Sequence, residues 1–162
     1  MKLEKVFVLL LAIFLLFICG CEKAGKSKDY TCVISVSCES VFENKDSVSE
    51  SILSALPDNG IILAETKVEV IEGESAFDVL YKALKEEKIH FEYSETPLYK
   101  NVYIEGISGL YEFDAGELSG WIYSVNGDFP AFGCSDYYVK SGDDIEFLYT
   151  CDRGKDLNAD IK

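Results

Sequence analysis

The residues of this 162-residue chain that could do chemistry are six cysteines, one histidine and an excess of carboxylates, 29 Asp and Glu against 15 Lys and Arg. No Gly-x-Ser-x-Gly elbow, His-Glu-x-x-His or phosphate-cradling glycine loop occurs, and a single histidine allows at most one Ser–His pairing. Paired carboxylates carry no information in so acidic a chain. His90 sits between Ile89 and Phe91 just after a helical stretch, where a helix-end or strand residue belongs, although a lone imidazole can ligate a metal. Asp143, Asp144, Asp152, Asp156 and Asp160 lack calcium-loop spacing and read as a solvated acidic face. The expectation is a non-enzyme with no intrinsic cofactor and no metal site. A net charge of −14 repels phosphate backbones and anionic headgroups, so nucleic acid is excluded as a partner.

The cysteines divide by position. Two lysines in Met1–Lys5 precede an unbroken apolar run, Val6–Ile18, which has the form of a secretory signal and falls short of the roughly 20 apolar residues that span a bilayer. Ile18-Cys19-Gly20-Cys21 resembles a lipobox, the pattern read by lipoprotein signal peptidase. That resemblance implies cleavage of residues 1–20 and a lipid on Cys21, with 21–30 as a polar tether at the outer face of a bacterial cell membrane. Roughly 140 residues remain, one domain with a real core.

Cys32, Cys38, Cys134 and Cys151 are left, an even number in an exported domain and hence two expected disulfides. Cys32, Ile34, Val36 and Cys38 share one strand parity. Six residues of strand separate the two cysteines by about 20 Å, too far for them to bridge each other. Each therefore pairs with Cys134 or Cys151, and the spacing leaves both arrangements open. No Cys-x-x-Cys is present for redox or zinc chemistry.

The elements that must position these residues follow from periodicity. A strand covers 32–38, and a polar stretch runs to Glu50. Pro57-Asp58-Asn59-Gly60 is a turn. Ile61–Leu63 and the alternating Val68-Glu69-Val70 are short apolar clusters. Ser75 with Asp78 caps an amphipathic helix over about 75–88, with Phe77, Leu80, Tyr81 and Leu84 on its stripe. Strands follow at 102–107 and 121–126, the second running into the hairpin turn Asn126-Gly127. A last strand alternates Ile145, Phe147, Tyr149 and Cys151. The class is α+β. High aromatic content, ten Tyr and ten Phe, argues for an ordered domain.

Five stretches in this order carry a wider resemblance: Thr31–Cys38, Glu72–Leu80, Tyr103–Ile107, Leu118–Gly127 and Ser141–Asp152. They resemble a bacterial domain-of-unknown-function family related to the C-terminal domain of transcobalamin and intrinsic factor, over about 31–157, with 158–162 as a tail. The resemblance implies a β-grasp-like mixed sheet packed on one helix, with first and last strands parallel and adjacent. It also favours the pairing Cys38–Cys151 with Cys32–Cys134.

In the vitamin carriers this domain covers one face of cobalamin. The resemblance therefore implies a ligand surface at Gly120, Trp121, Tyr123, Asn126, Phe129, Pro130 and Phe132, where aromatic faces and close backbone receive a flat ligand. Trp121, Tyr123 and Val125 share one parity, which the core side of a strand also produces. Phe129 and Phe132 flank a proline in a loop, where apolar side chains need a partner. The expected function is a lipid-anchored extracellular domain that captures cobalamin or a related corrinoid, working with a membrane transporter or a helical partner domain. The alternative is a protein-interaction or adhesive module at the cell surface with no small-molecule ligand.

Overall fold

The structure, a computed structural model, describes residues 30–95 and 101–161. The expected signal segment 1–20, Cys21 and most of the tether lie outside the described residues, as does Lys162. Among the described residues no helix is long and apolar enough to cross a membrane.

The chain orders as β1 (Tyr30–Ser37), α1 (Glu39–Glu43), α2 (Glu50–Leu53), β2 (Ile61–Val70), α3 (Ala76–Glu86), β3 (Phe91–Glu95), β4 (Val102–Ile107), β5 (Leu110–Tyr111), β6 (Gly120–Val125) and β7 (Asp144–Thr150). One sheet has the order β2-β1-β7-β6 and the other β3-β4-β5. β1 and β7 run parallel, from Val33 opposite Asp144 to Ser37 opposite Leu148, while β1–β2 and β6–β7 are antiparallel. The expected mixed sheet against one main helix is therefore present. The sheet's inner face buries Cys32, Ile34 and Val36 of β1 and Ile145, Phe147 and Tyr149 of β7.

α3 carries the expected capping box. The Asp78 amide donates to Ser75 Oγ at 3.2 Å and the Ser75 amide to Asp78 Oδ2 at 2.8 Å. Such a cap contributes about 1 kcal/mol. Its buried face is Ala76, Val79, Leu80, Ala83 and Leu84, rotated from the expected stripe. Phe77 and Tyr81 turn outward and pack with Phe91 and Tyr93 of β3, as in the Phe77–Tyr93 pair at 4.9 Å. The second sheet thus takes up two aromatics assigned by spacing to the first.

The polar stretch after Cys38 folds into α1 and α2 around a 3₁₀ turn, Lys45–Ser47, because Val41, Val48 and Leu56 each find the core from a separate short turn. Ile61–Val70 is one strand rather than two clusters. Its pairing with β1 slips between Ile34 and Val36, so Leu63 and Val68 both face inward from opposite parities. Gly60 closes the turn before it at φ +70, and a Cβ there would meet the Glu39 backbone at 2.8 Å.

Candidate ligand-binding site

β6 is an edge strand whose odd positions Trp121, Tyr123 and Val125 oppose Tyr149, Phe147 and Ile145. Trp121 is 8% exposed, meets the Tyr149 ring edge-on at 5.2 Å, and donates from Nε1 to the Leu110 carbonyl at 3.0 Å. Tyr123 stacks on Phe147 at 5.8 Å, and its hydroxyl donates to the Phe132 carbonyl at 3.0 Å. Both are core rings whose polar atoms find backbone partners, as buried Trp and Tyr require. The Tyr149 hydroxyl donates to the Tyr111 carbonyl at 2.7 Å. Together with the Trp121 bond, it fastens β5 to the first sheet.

Beside β6 lie two cavities of about 280 Å³ each. The first lies among Val102–Ile104 of β4, Trp121–Tyr123 and the loop Phe129–Cys134. The second lies among Phe113, Glu117–Trp121, Thr150 and Arg153. Tyr103, Trp121, Ile122 and Ile161 line both, so the two adjoin.

Of the residues expected at a ligand surface, Trp121, Tyr123, Phe129, Pro130 and Phe132 meet at the first cavity, and Gly120 lines the second. A Cβ at Gly120 would make only ordinary contacts, 3.8 Å to Glu112 Cβ, so close backbone approach is not what this glycine supplies. Asn126 lines neither cavity. Its amide donates to Asp143 Oδ1 at 2.9 Å and its Oδ1 accepts from the Asp144 amide at 3.0 Å, so it locks the hairpin turn to β7. With Asn126 at φ +54 and Gly127 at φ +82, this is the type I′ turn that Asn-Gly favours.

Sequence reasoning missed Tyr103, Phe113, Leu118 and Ile161. Half of the large apolar side chains that stand exposed among the described residues, namely Tyr103, Phe113, Leu118, Phe132 and Ile161, line these two cavities. Phe113 is also held at φ +67, a strained conformation for a bulky residue. A strained, exposed phenylalanine in a turn is the one signal here, and sequence does not display φ.

The polar lining is sparse. The Tyr103 hydroxyl donates to the Glu112 carboxylate; burial, and then this bond, push its pKa up to about 12, so it remains protonated at neutral pH. Glu117 and Arg153 are the charged side chains of the second cavity. Among the described residues, no group of three or more His, Cys, Asp or Glu comes together as metal ligands would. His90 is exposed and bonds Glu92 at 3.0 Å. Asp143 accepts from the Lys140 amide at 2.8 Å, and Asp156 holds Thr150 Oγ1 and the Cys151 amide, the latter at 2.7 Å.

Cys32, Cys38, Cys134 and Cys151 are free thiols, so neither expected bridge, Cys38–Cys151 or Cys32–Cys134, is formed in this structure. The Cys32 sulfur instead faces the Lys140 carbonyl at 3.3 Å, and Cys151 lies 3.8 Å from the Ser40 carbonyl. Burial pushes the Cys38 thiol up to about 11 and Cys134, in the wall of the first cavity, to about 12.

Residues 73–150 match the model of a domain of unknown function, DUF4430. Haptocorrin, solved in complex with Cbi, is similar in fold: TM-score 0.51 and 20% identity over 81% of this chain. The chain spans 28% of that protein's length. A metal-binding protein, provisionally so assigned, from Ruminococcus gnavus ATCC 29149 matches at TM-score 0.41 and 15% identity, covering 74% of this chain and 95% of that one. No curated protein sequence matches this chain.

Proposed function

We propose that the protein is an extracellular binding domain, tethered through a lipid on Cys21 at the outer face of a bacterial membrane. It captures a small ligand across the two cavities beside β6 and acts as a carrier rather than a catalyst. The observation that carries this is the concentration of exposed apolar side chains, Tyr103, Phe113, Leu118, Phe132 and Ile161, around adjoining concavities. Exposed apolar side chains gathered around a concavity are a mark of ligand-binding and interaction surfaces.

Cobalamin or a related corrinoid is the ligand class we favour, in keeping with the fold shared with haptocorrin. Size sets the mode of binding. Each cavity of about 280 Å³ lies just below the roughly 300–1,000 Å³ of sites that enclose drug-sized ligands. A macrocycle would lie across both with its edge groups inserted, leaving its other face for a helical partner domain or a membrane transporter. Titrating residues 30–162 with cyanocobalamin while following Trp121 fluorescence tests this. Saturable quenching at micromolar ligand is expected, and its absence overturns corrinoid capture by this domain alone.

The same apolar rim supports a second reading, an adhesive or protein-interaction module whose partner covers the patch directly. In that case Phe113→Ser and Phe132→Ser abolish attachment to a partner cell surface, while no corrinoid quenches Trp121. Replacing Cys21 with Ser tests the anchor, since the protein should then leave the membrane fraction.

A further inference from the structure

Six non-glycine residues hold a positive φ among the described residues, and asparagine, which tolerates it, accounts for two, Asn126 and Asn158. Lys88 lies just past α3, and Ser108 joins β4 to β5. The other two, Phe113 at φ +67 and Arg153 at φ +48, come from different loops, and both line the second cavity.

Neither side chain is the one its turn prefers. Asp152-Arg153-Gly154-Lys155 is closed by the Lys155 amide on the Asp152 carbonyl at 3.0 Å, with Gly154 at φ +86 and ψ −8. That is the type I′ geometry of Asn126-Gly127, closed in the same way by the Asp128 amide on the Val125 carbonyl at 3.0 Å. Asn126 spends its side chain on its own turn, whereas Arg153 puts an exposed cationic side chain at the equivalent position. It is the only arginine in a chain of net charge −14. In Tyr111-Glu112-Phe113-Asp114 the Asp114 amide donates to the Tyr111 carbonyl at 3.3 Å, and Phe113 stands where a type II turn calls for Gly or Asn. Backbone bonds hold it there: its amide donates to the Ser119 carbonyl at 3.2 Å, and its carbonyl accepts from the Gly116 amide at 3.1 Å. The Arg153 amide donates to the Leu118 carbonyl at 3.0 Å, so the two loops are joined. Backbone held against side-chain preference, twice around one concavity, points to side chains kept for what they contact.

We propose that Phe113 and Arg153 form a clamp in the second cavity for a flat apolar group bearing a carboxylate or phosphate. The ring of that group lies against Phe113, and its anion sits on the guanidinium. The clamp rests on the reading of the cavities as a ligand site and adds what the second one selects. A guanidinium presents a planar fork of donors that matches two oxygens of such an anion, and a phenyl face stacks on the ring beside it. Glu117 lines the same cavity and opposes the anion, so it weakens the affinity that Arg153 supplies.

The test follows the indole N–H signal of Trp121, the only tryptophan, which lines this cavity, in NMR spectra of the full chain in detergent solution. The probes are 1-naphthoate, 1-naphthyl phosphate and uncharged 1-naphthamide, and each variant is read as a ratio to wild type, so uptake by the micelle cancels. Wild type should bind at least one of the two anions roughly three- to tenfold tighter than the amide, and the tighter anion names the group. Arg153→Asn, which suits a type I′ turn, should abolish that preference, leave the amide unchanged and raise Tm by about 3–5 °C. Phe113→Asn should raise Tm similarly and weaken all three probes by roughly three- to tenfold. Glu117→Gln should tighten the anions alone. No shift of the indole signal with any probe overturns the clamp, as does an anion preference that survives Arg153→Asn or amide binding that survives Phe113→Asn. A Tm that falls in both asparagine variants overturns the strain on which the assignment stands. If the clamp passes while cyanocobalamin leaves Trp121 unquenched, the clamp holds and the corrinoid reading falls.

Discussion

Trp121 and Tyr123 on β6 and Phe129 and Phe132 in the loop beyond it line the same cavity, yet they are held there by different forces. The strand rings are buried, with their polar atoms on backbone carbonyls and their faces on Tyr149 and Phe147. Phe132 is 51% exposed and rests on Tyr137 in a parallel stack at 6.1 Å. The strand pair builds the wall as a by-product of building the core, while the loop pair contributes little to the core and much to the opening. The side chains that build the core and those that shape the opening therefore separate along the sequence within a dozen residues.

Trp121→Ala should break this separation most severely. It empties a core site and costs about 3–5 kcal/mol, read as a lower denaturant midpoint, so any loss of binding in that variant is uninformative. Trp121→Phe keeps the bulk but leaves the Leu110 carbonyl without its donor, a loss of about 1–3 kcal/mol.

Alkaline pH probes the hydroxyls and thiols whose pKa folding raises. Cys38 and Cys134 rise to about 11 and about 12 from an ordinary thiol value of 9.0, and Tyr103 and Tyr149 to about 12 from 10.0. Groups raised by folding stabilise fully below their unfolded values, and that contribution is lost as pH climbs through the folded ones. With free thiols, the denaturant midpoint should begin to fall just above pH 9.

Tyr123→Phe removes the bond to the Phe132 carbonyl and should cost about 1 kcal/mol, with faster amide exchange confined to the loop 129–134. Phe132→Ala should move stability by less than about 0.5 kcal/mol while weakening ligand binding at least tenfold. A stability loss as large as that of Trp121→Ala would show that the loop is core after all.

β1, β7 and α3 were legible because their signals are local: alternating burial in the two strands, and a capping box at Ser75 and Asp78. β3 was not, because most of Phe91–Glu95 is exposed and shows no alternation, and Phe91 and Tyr93 pack on α3 rather than in the main core. β2 looked like two fragments because its irregular pairing reverses the parity of its apolar positions between Leu63 and Val68. At the site, loop apolarity pointed correctly to Phe129 and Phe132. Asn126 was drawn in by its turn chemistry, which serves the turn itself. Ile161 stands 29 residues beyond Phe132, and only the tertiary fold brings them to one cavity.

The parallel pairing of β1 with β7 also fixes the end of the sheet at which the chain enters the domain. The chain enters at Tyr30, beside the end of the sheet where Val33 meets Asp144, whereas Gly120 and Thr150 face each other at the opposite end, beyond the pairing of Ser37 with Leu148. Eight residues of β1 amount to about 25 Å. The point of entry at Tyr30 and the second cavity, which Gly120 and Thr150 line, therefore lie at opposite ends of the sheet, so that whatever is joined ahead of Tyr30 stands a strand's length away from that cavity.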